Sequence, residues 1–369
     1  MRNSESQDKL ARVERERLNL DAALTWYAER TDAAHGLRLA FALSRFWWLR
    51  GQLNEGRAWL TRFLASEHAA EVPRELRGRS LRALVVLTSS LGNFDEALEP
   101  CLEAVGIQRE IGDEAGLGET LTSLGILMQF RGDLAAATEA HEESLALRRR
   151  LGLESGVANS LSNLASVAFS RDDLDDAARL GDESMTMYRR LGNISGTSHA
   201  LMKLGLVAAR RKDYEGADRF FEESLALQRG LGELGSVFYS LSNLGSTAHK
   251  RGDVPLAIAR YREALELLES VPNKAAIAGT LELFAAALTA AGEPQRAARI
   301  LGATDALRTL IGSPVFPSER PDYEAAISST RAALGDRQFE TEWQMGAVMN
   351  LARTLEEARG SREHERTTA

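Results

Sequence analysis

Two stretches carry paired carboxylates in nearly the same setting, HEESLALRRRLG at 141–152 and FEESLALQRGLG at 221–232. Two carboxylates close together are the minimum equipment for general acid–base chemistry. Each pair, Glu142-Glu143 and Glu222-Glu223, lies inside a stretch that reads as helix. Neighbouring side chains on a helix point about 100° apart, so neither pair converges on one substrate atom. The setting predicts a solvated outer face with salt-bridge partners. Cys101 is the one cysteine. It falls among apolar neighbours with no histidine near it in sequence, which predicts a small core packer, not a nucleophile. The six histidines show no HExxH, CxxC or other ligand spacing, so no metal is expected. GTSHA (196–200) lacks the second glycine of a nucleophile elbow, and Gly116-Leu117-Gly118 is a lone GxG between helices. These residues imply no catalysis and no cofactor.

The elements that carry those residues repeat. Frames of forty residues align without gaps from 81 to 320. Their fourth position holds Leu84, Leu124, Leu164, Leu204, Leu244 and Phe284. The fifth is small throughout, as in Gly125, Gly205 and Ala285, and the seventeenth is always alanine, from Ala97 to Ala297. A weaker copy precedes them, with FWWLRGQLNEGRAWL (46–60) matching the turn and second helix. Each frame reads as two helices around a turn such as Gly132-Asp133, the aspartate suited to cap the second helix. Asn93 with Glu96 forms a capping-box pattern, and Pro294 stands at a first helical position. Arg109, Arg149, Arg189 and Arg229 oppose the negative helix end, and Gly112, Gly152, Gly192 and Gly232 suit a left-handed cap. The alanine marks a helix crossing where a larger side chain would hold the helices apart. The expected fold is all-α, a right-handed α-solenoid of about seven 40-residue helix-turn-helix repeats with helical caps. It divides into N-terminal helices and a first degenerate repeat (1–80), five regular repeats (81–280), and a last repeat, Pro-containing loop and capping helices (281–369).

This pattern resembles the tetratricopeptide repeat, on Leu204-Gly205 with Ala217 and Phe221 and on Leu244-Gly245 with Ala257 and Tyr261. The usual unit is about 34 residues; six more add roughly 9 Å of helix. The ends resemble a narrower group. Residues 16–65 are similar to the segment after the ATPase and winged-helix modules of bacterial NB-ARC or STAND-type regulators, many of them LuxR-type or similar to the maltose regulator. Residues 296–358 are similar to the stretch closing the repeat array there. That resemblance implies a sensor and protein-docking arm. The chain departs from it in having no GxxxxGK[ST] and only ARGSREHERTTA after Glu357, so ATP hydrolysis and DNA binding are not assigned to these residues.

A solenoid offers its concave face, lined by the first helix of each repeat. Asn163, Lys203 and Asn243 share the third frame position and predict a polar row able to bond a peptide backbone and attract a carboxylate. Asn159, His199, Tyr239, Phe130, Phe169, Arg210, His249 and Lys250 extend it into a basic-aromatic lining. The carboxylate clamp of chaperone-binding tetratricopeptide domains is absent, since Ile126, Ser166 and Leu206 stand where its second asparagine belongs. GSPVFPSERPDY (312–323) reads as a loop before two closing helices near 321–334 and 336–358, with Phe339, Trp343 and Met345 as cap packing. Trp47, Trp48 and Trp59 are expected to fill the first inter-helix core.

The 369 residues carry 27% charged and 44% hydrophobic side chains and a net charge of -8, which gives no basic field for nucleic acid or anionic lipid. A single cysteine fits a reducing compartment, and the first twenty residues lack a signal-peptide apolar run, so the expected location is cytoplasmic. The expected function is non-catalytic recognition of a peptide, protein or small effector in the groove, as the sensor arm of a bacterial transcriptional or signalling regulator. A stand-alone scaffold without a sensing role is the alternative.

Overall fold

A computed structural model describes residues 10–68, 71–267, 271, 273–315 and 319–359. Every regular element among the described residues is a helix, and none of these helices is long and apolar enough to cross a membrane. The chain forms two compact units, Met1–Met187 and Tyr188–Ala369.

The first unit opens with α1 (Arg17–Glu29), α2 (Ala33–Leu49) and α3 (Leu53–Leu64). Regular pairs follow as α4 (Arg74–Ser90) with α5 (Phe94–Ile111), and α6 (Glu114–Phe130) with α7 (Leu134–Arg150). α8 (Glu154–Ser170) and α9 (Leu174–Arg190) come next. The second unit continues the pairing through α10 (Ile194–Arg210), α11 (Tyr214–Leu231), α12 (Leu234–Lys250) and α13 (Val254–Leu265). α14 (Lys274–Ala290) and α15 (Pro294–Ile311) form the last pair. Three shorter helices close it: α16 (Arg320–Leu334), α17 (Asp336–Ala347) and α18 (Leu351–Arg359).

Local chemistry explains these bounds. Asp113, Asp133, Asn193, Asp213 and Asp253 accept from backbone amides three residues on, as N-cap side chains do. Asn93 does not. Its amide donates to Glu96 (3.3 Å), so the expected capping box is replaced by a side-chain pair. The left-handed position after each second helix is occupied by Gly112, Gly152, Gly192 and Gly232, with φ from 64 to 71°. The expected single helix 336–358 is broken at Val348–Asn350, because Asn350 caps a new start by accepting from the Arg353 amide at 2.9 Å.

Packing follows the frame. Ala97, Ala137, Ala217, Ala257 and Ala297 are all fully buried at the helix crossings. The small fifth position faces the twenty-first, and their sizes are reciprocal. A Cβ at Gly125 would stand 2.4 Å from the His141 ring, one at Gly205 2.4 Å from Phe221, and one at Gly245 2.7 Å from Tyr261. Glycine is required there by volume, since the opposite ring fills the site. Cys101 holds the twenty-first position opposite Val85; it is fully buried and its thiol is pushed up to about 12 by desolvation, which suits a packer. Second-helix serines tie to first-helix carbonyls at one spacing: Ser144 to Gly118 (2.7 Å), Ser184 to Ala158 (2.8 Å) and Ser224 to Ser198 (2.8 Å).

The paired glutamates sit on the outside as expected. In the first unit Arg109 pairs with Glu143 at 2.7 Å and Arg149 with Glu183 at 3.8 Å. In the second, Arg189 pairs with Glu223, Arg229 with Glu263 and Arg260 with Glu222. Each cap arginine reaches the glutamate thirty-four residues on, so the second glutamate of each EE phrase, with Glu183 and Glu263 at the same frame position, builds an ion ladder.

The terminal aromatics divide. Trp47 is buried and Trp59 stacks on Phe63, but Trp48 is half exposed and donates through Nε1 to Ser90 Oγ at 3.2 Å, so it is not core. At the other end Phe339 is buried and Trp343 packs beside it, whereas Met345 is exposed and packs no cap.

Candidate functional site

The expected groove residues fall into both units, and each set takes its character from its own neighbours. In the first unit Asn159 is committed to the interior: its Oδ1 accepts from Arg148 Nη1 (3.1 Å) and from Asn163 Nδ2 (3.4 Å). Asn163 and Phe169 are half-buried on α8. Phe130 is 58% exposed and stacks on Phe94 with ring centroids 3.8 Å apart, which leaves one ring face to solvent.

In the second unit Lys203 is half-buried on α10, and desolvation brings its ammonium down to about 8. His199 stands one turn earlier. Desolvation lowers its pKa, Glu233 raises it and Lys203 lowers it again. Arg210 is exposed at the end of the same helix. Asn243 on α12 donates through Nδ2 to the Met202 sulfur at 3.4 Å, which leaves its Oδ1 as an acceptor. Tyr239 lies one turn before it, with desolvation raising its hydroxyl pKa and a hydrogen bond to Asn273 lowering it. At the far end of α12, Lys250 pairs with Asp322 of α16 at 3.1 Å. His249 beside it is half-buried, and desolvation and then Lys250 lower its pKa against the pull of Asp322.

Tyr239 and Asn243 come together on a cavity of about 230 Å³. α12 also contributes Ser242; α14 contributes Ala276, Gly279, Thr280, Glu282 and Leu283. Glu319, Asp322 and Tyr323 close it from the start of α16. Beneath lies a buried ion pair. Arg308 Nε and Nη2 donate to the two oxygens of Glu282 at 2.7 and 2.9 Å, and both side chains are at most 5% exposed. Burial raises the Glu282 carboxyl pKa and the Arg308 guanidinium opposes that rise. Glu319 adds a second carboxylate 3.3 Å from Arg308 Nη2.

Frame reasoning missed Glu282, Arg308, Glu319, Asp322 and Tyr323. The signal for Arg308 was present: the twenty-eighth frame position is long and polar in Gln108, Arg148, Gln228 and Arg308, and all four are buried. Among the described residues no group of His, Cys, Asp or Glu side chains is placed to hold a metal.

Comparison with known proteins agrees with this architecture. Tetratricopeptide-repeat family models match residues 74–150, 156–230 and 240–275, together just over half of the chain. A Mycobacterium bovis protein provisionally named as an HTH-type transcriptional regulator is 32% identical over 126 residues, and its Mycobacterium tuberculosis counterparts match equally. That match covers 32% of this chain but only 14% of the regulator's length. Among solved structures, a Rap protein complexed with Competence and Sporulation Factor aligns over 90% of this chain and 99% of its own, at a TM-score of 0.60 and 12% identity. Apo RapI aligns over 68% of this chain and 89% of its own, at a TM-score of 0.56 and 14% identity. These likenesses are of fold. On its repeat matches, its frame and its helix pairing, the chain belongs to the tetratricopeptide-repeat proteins.

Proposed function

We propose that this chain is a non-catalytic recognition domain that holds a peptide or protein partner against its first helices, as the sensor arm of a bacterial transcriptional regulator. The observation that carries the reading is the meeting of Tyr239 and Asn243 on one cavity at the α12–α14 face. There an aromatic ring, a free amide oxygen and carboxylates stand side by side, a set that can read both backbone and side chain of an extended segment. The regulator role is supported by the sequence likeness to the mycobacterial HTH-type proteins. A solved relative in fold, the Rap protein, is held in complex with Competence and Sporulation Factor, which is consistent with recognition by this architecture.

The test is selection of a displayed peptide library on the immobilised chain, followed by anisotropy titration of the enriched peptides. Tyr239→Ala combined with Asn243→Ala is expected to weaken binding about tenfold or more, roughly 1.4 kcal/mol, with the melting temperature nearly unchanged. Equal affinity of the double variant would remove this face from the reading.

A further inference from the structure

The cavity between α12, α14 and α16 is smaller than the ~300–1,000 Å³ that encloses a drug-sized ligand. It has room for one head group with a few carbons. Its walls are aromatic and aliphatic: Tyr239 on one side, Tyr323 on the other, with Leu283 and Ala276. Both tyrosines line the cavity, and desolvation raises the pKa of each hydroxyl. The tyrosine rings offer the cavity carbon surface, whose faces carry the negative part of the ring quadrupole.

Charge decides what fits. Glu282, Glu319 and Asp322 line the cavity. Arg308 neutralises Glu282 in a bidentate pair, and Lys250 neutralises Asp322. Glu319 shares the guanidinium already held by Glu282. Three carboxylates against two cations leave an excess negative charge beside a small, partly dry space, where attraction is stronger than in bulk water. Gly279 presents no side chain at that floor; a Cβ there would sit in ordinary contact, 3.6 Å from Arg308 Nη2 and 4.0 Å from Glu319 Oε2. The Oδ1 of Asn243 adds a neutral acceptor. An anion meets repulsion here, and a neutral alcohol leaves the excess charge unanswered. A compact ammonium has three donors for these acceptors and a charge for the ring faces.

We propose that this cavity binds a primary ammonium on a short apolar stem, supplied by a free alkylamine or by a lysine side chain. The inference extends the recognition reading but does not require a peptide, because a free amine interrogates the cavity alone. The full chain is titrated by saturation-transfer NMR with n-butylammonium, 1-butanol, butyrate and Nα-acetyl-lysine methylamide. Butylammonium is expected to saturate with a Kd on the order of 1–10 mM. Butanol and butyrate should bind at least about tenfold more weakly, the increment expected when a partly desolvated cation–π and ion contact is lost. Asp322→Asn and Tyr239→Leu, both at exposed side chains, should each weaken butylammonium about fivefold or more without moving the melting temperature. Saturation by the lysine derivative as well assigns the source to a peptide side chain; saturation by butylammonium alone assigns it to a free amine. Equal binding of butanol, no saturation by either ammonium, or unchanged affinity in both variants would overturn the proposal. Failure of the peptide selection with success here would leave the amine site standing, and the reverse would leave the peptide face.

Discussion

Arg148 and Arg308 occupy the same position of their repeats and are both buried, yet their surroundings differ in kind. Arg148 Nη1 reaches forward to the next first helix, donating to Gly156 O (3.1 Å), Asn159 Oδ1 (3.1 Å) and Ser160 Oγ (2.8 Å). Arg308 reaches back to Glu282, on the first helix of its own repeat. The difference follows from what lies next in the chain. After α7 comes α8, a regular first helix with small polar residues at its start. After α15 comes α16, at whose start Glu319 stands. Arg148 is met by the repeat that follows it; Arg308 is met by a carboxylate, and the charge network under the cavity results. Individual chemistry therefore collects where the repeat pattern stops.

That contrast can be broken most sharply by substituting both arginines with leucine. Arg308→Leu leaves Glu282 buried without its counter-ion and is expected to cost about 3–5 kcal/mol in denaturant unfolding. Adding Glu282→Leu should recover most of that loss, because the uncompensated charge is then gone. Arg148→Leu takes the donor away from Gly156 O, Asn159 Oδ1 and Ser160 Oγ, a cost of about 1–3 kcal/mol. Equal losses from the two single substitutions would show that the carboxylate adds nothing to the end of the array.

Gln108 sharpens the same comparison with the opposite sign. It holds the same frame position, is 1% exposed, and neither its Oε1 nor its Nε2 has a hydrogen-bond partner. Gln228, three repeats later, is satisfied at both ends by Ser224 and Ser240. Gln108→Met removes an unmet polar group at similar volume, so it should raise stability by about 1 kcal/mol. Gln228→Met should lower it by a similar amount by orphaning Ser240. Thermal unfolding of the two variants side by side reads the signs directly.

How far these differences were legible beforehand depends on which residues speak locally. The frame, the alanine crossings and the glycine caps were readable, because each is a local steric demand that recurs from frame to frame. Small residues at the fifth position were also readable, but their reciprocity with His141, Phe221 and Tyr261 was not, because it links positions sixteen residues apart across a turn. The Asn93 capping box failed because Glu96 bonds the side-chain amide and pairs with Arg57 of another helix. The α12–α14–α16 cavity was the least legible. Tyr239 and Asn243 belong to the repeating part of the frame, whereas Glu319 stands at its very end and Asp322 and Tyr323 lie beyond it, and nothing periodic places them opposite.

Lys203 tests burial of charge by pH. Its folded pKa, about 8, lies below the ordinary lysine value of 10.5, so between those values the unfolded state holds more protons than the folded one. Stability should therefore rise as pH increases from about 8 towards 10.5, and the penalty of burying the ammonium is fully felt below that window. Lys203→Met should abolish this part of the pH dependence. Urea midpoints at pH 7.5 and 9.5 for both proteins decide it, and a wild-type chain with no such rise would refute the desolvation account. His199, one turn away and itself lowered chiefly by desolvation, titrates below this window and does not confuse the reading.

The smallest effect is expected on the outer face. Arg109 and Glu143 form a closer pair than Arg149 and Glu183, at 2.7 against 3.8 Å, but the arginines are 55 and 57% exposed and their partners 41 and 44%. Solvent and salt screen such pairs, and ordering two long side chains offsets much of the attraction. Arg109→Ala is therefore expected to cost under ~1 kcal/mol, and less at about 0.5 M salt, despite the ladder's regularity. Arginine also sits in the last turn of α5, where its charge opposes the helix dipole. Arg109→Lys keeps that contribution and shortens the reach of the single Nη2 contact to Glu143, so it should fall between alanine and wild type. If Arg109→Ala instead matched Arg148→Leu in cost, the regular ion ladder would be holding the repeats together as firmly as their buried polar contacts, and the division between an interchangeable outside and an individual inside would collapse.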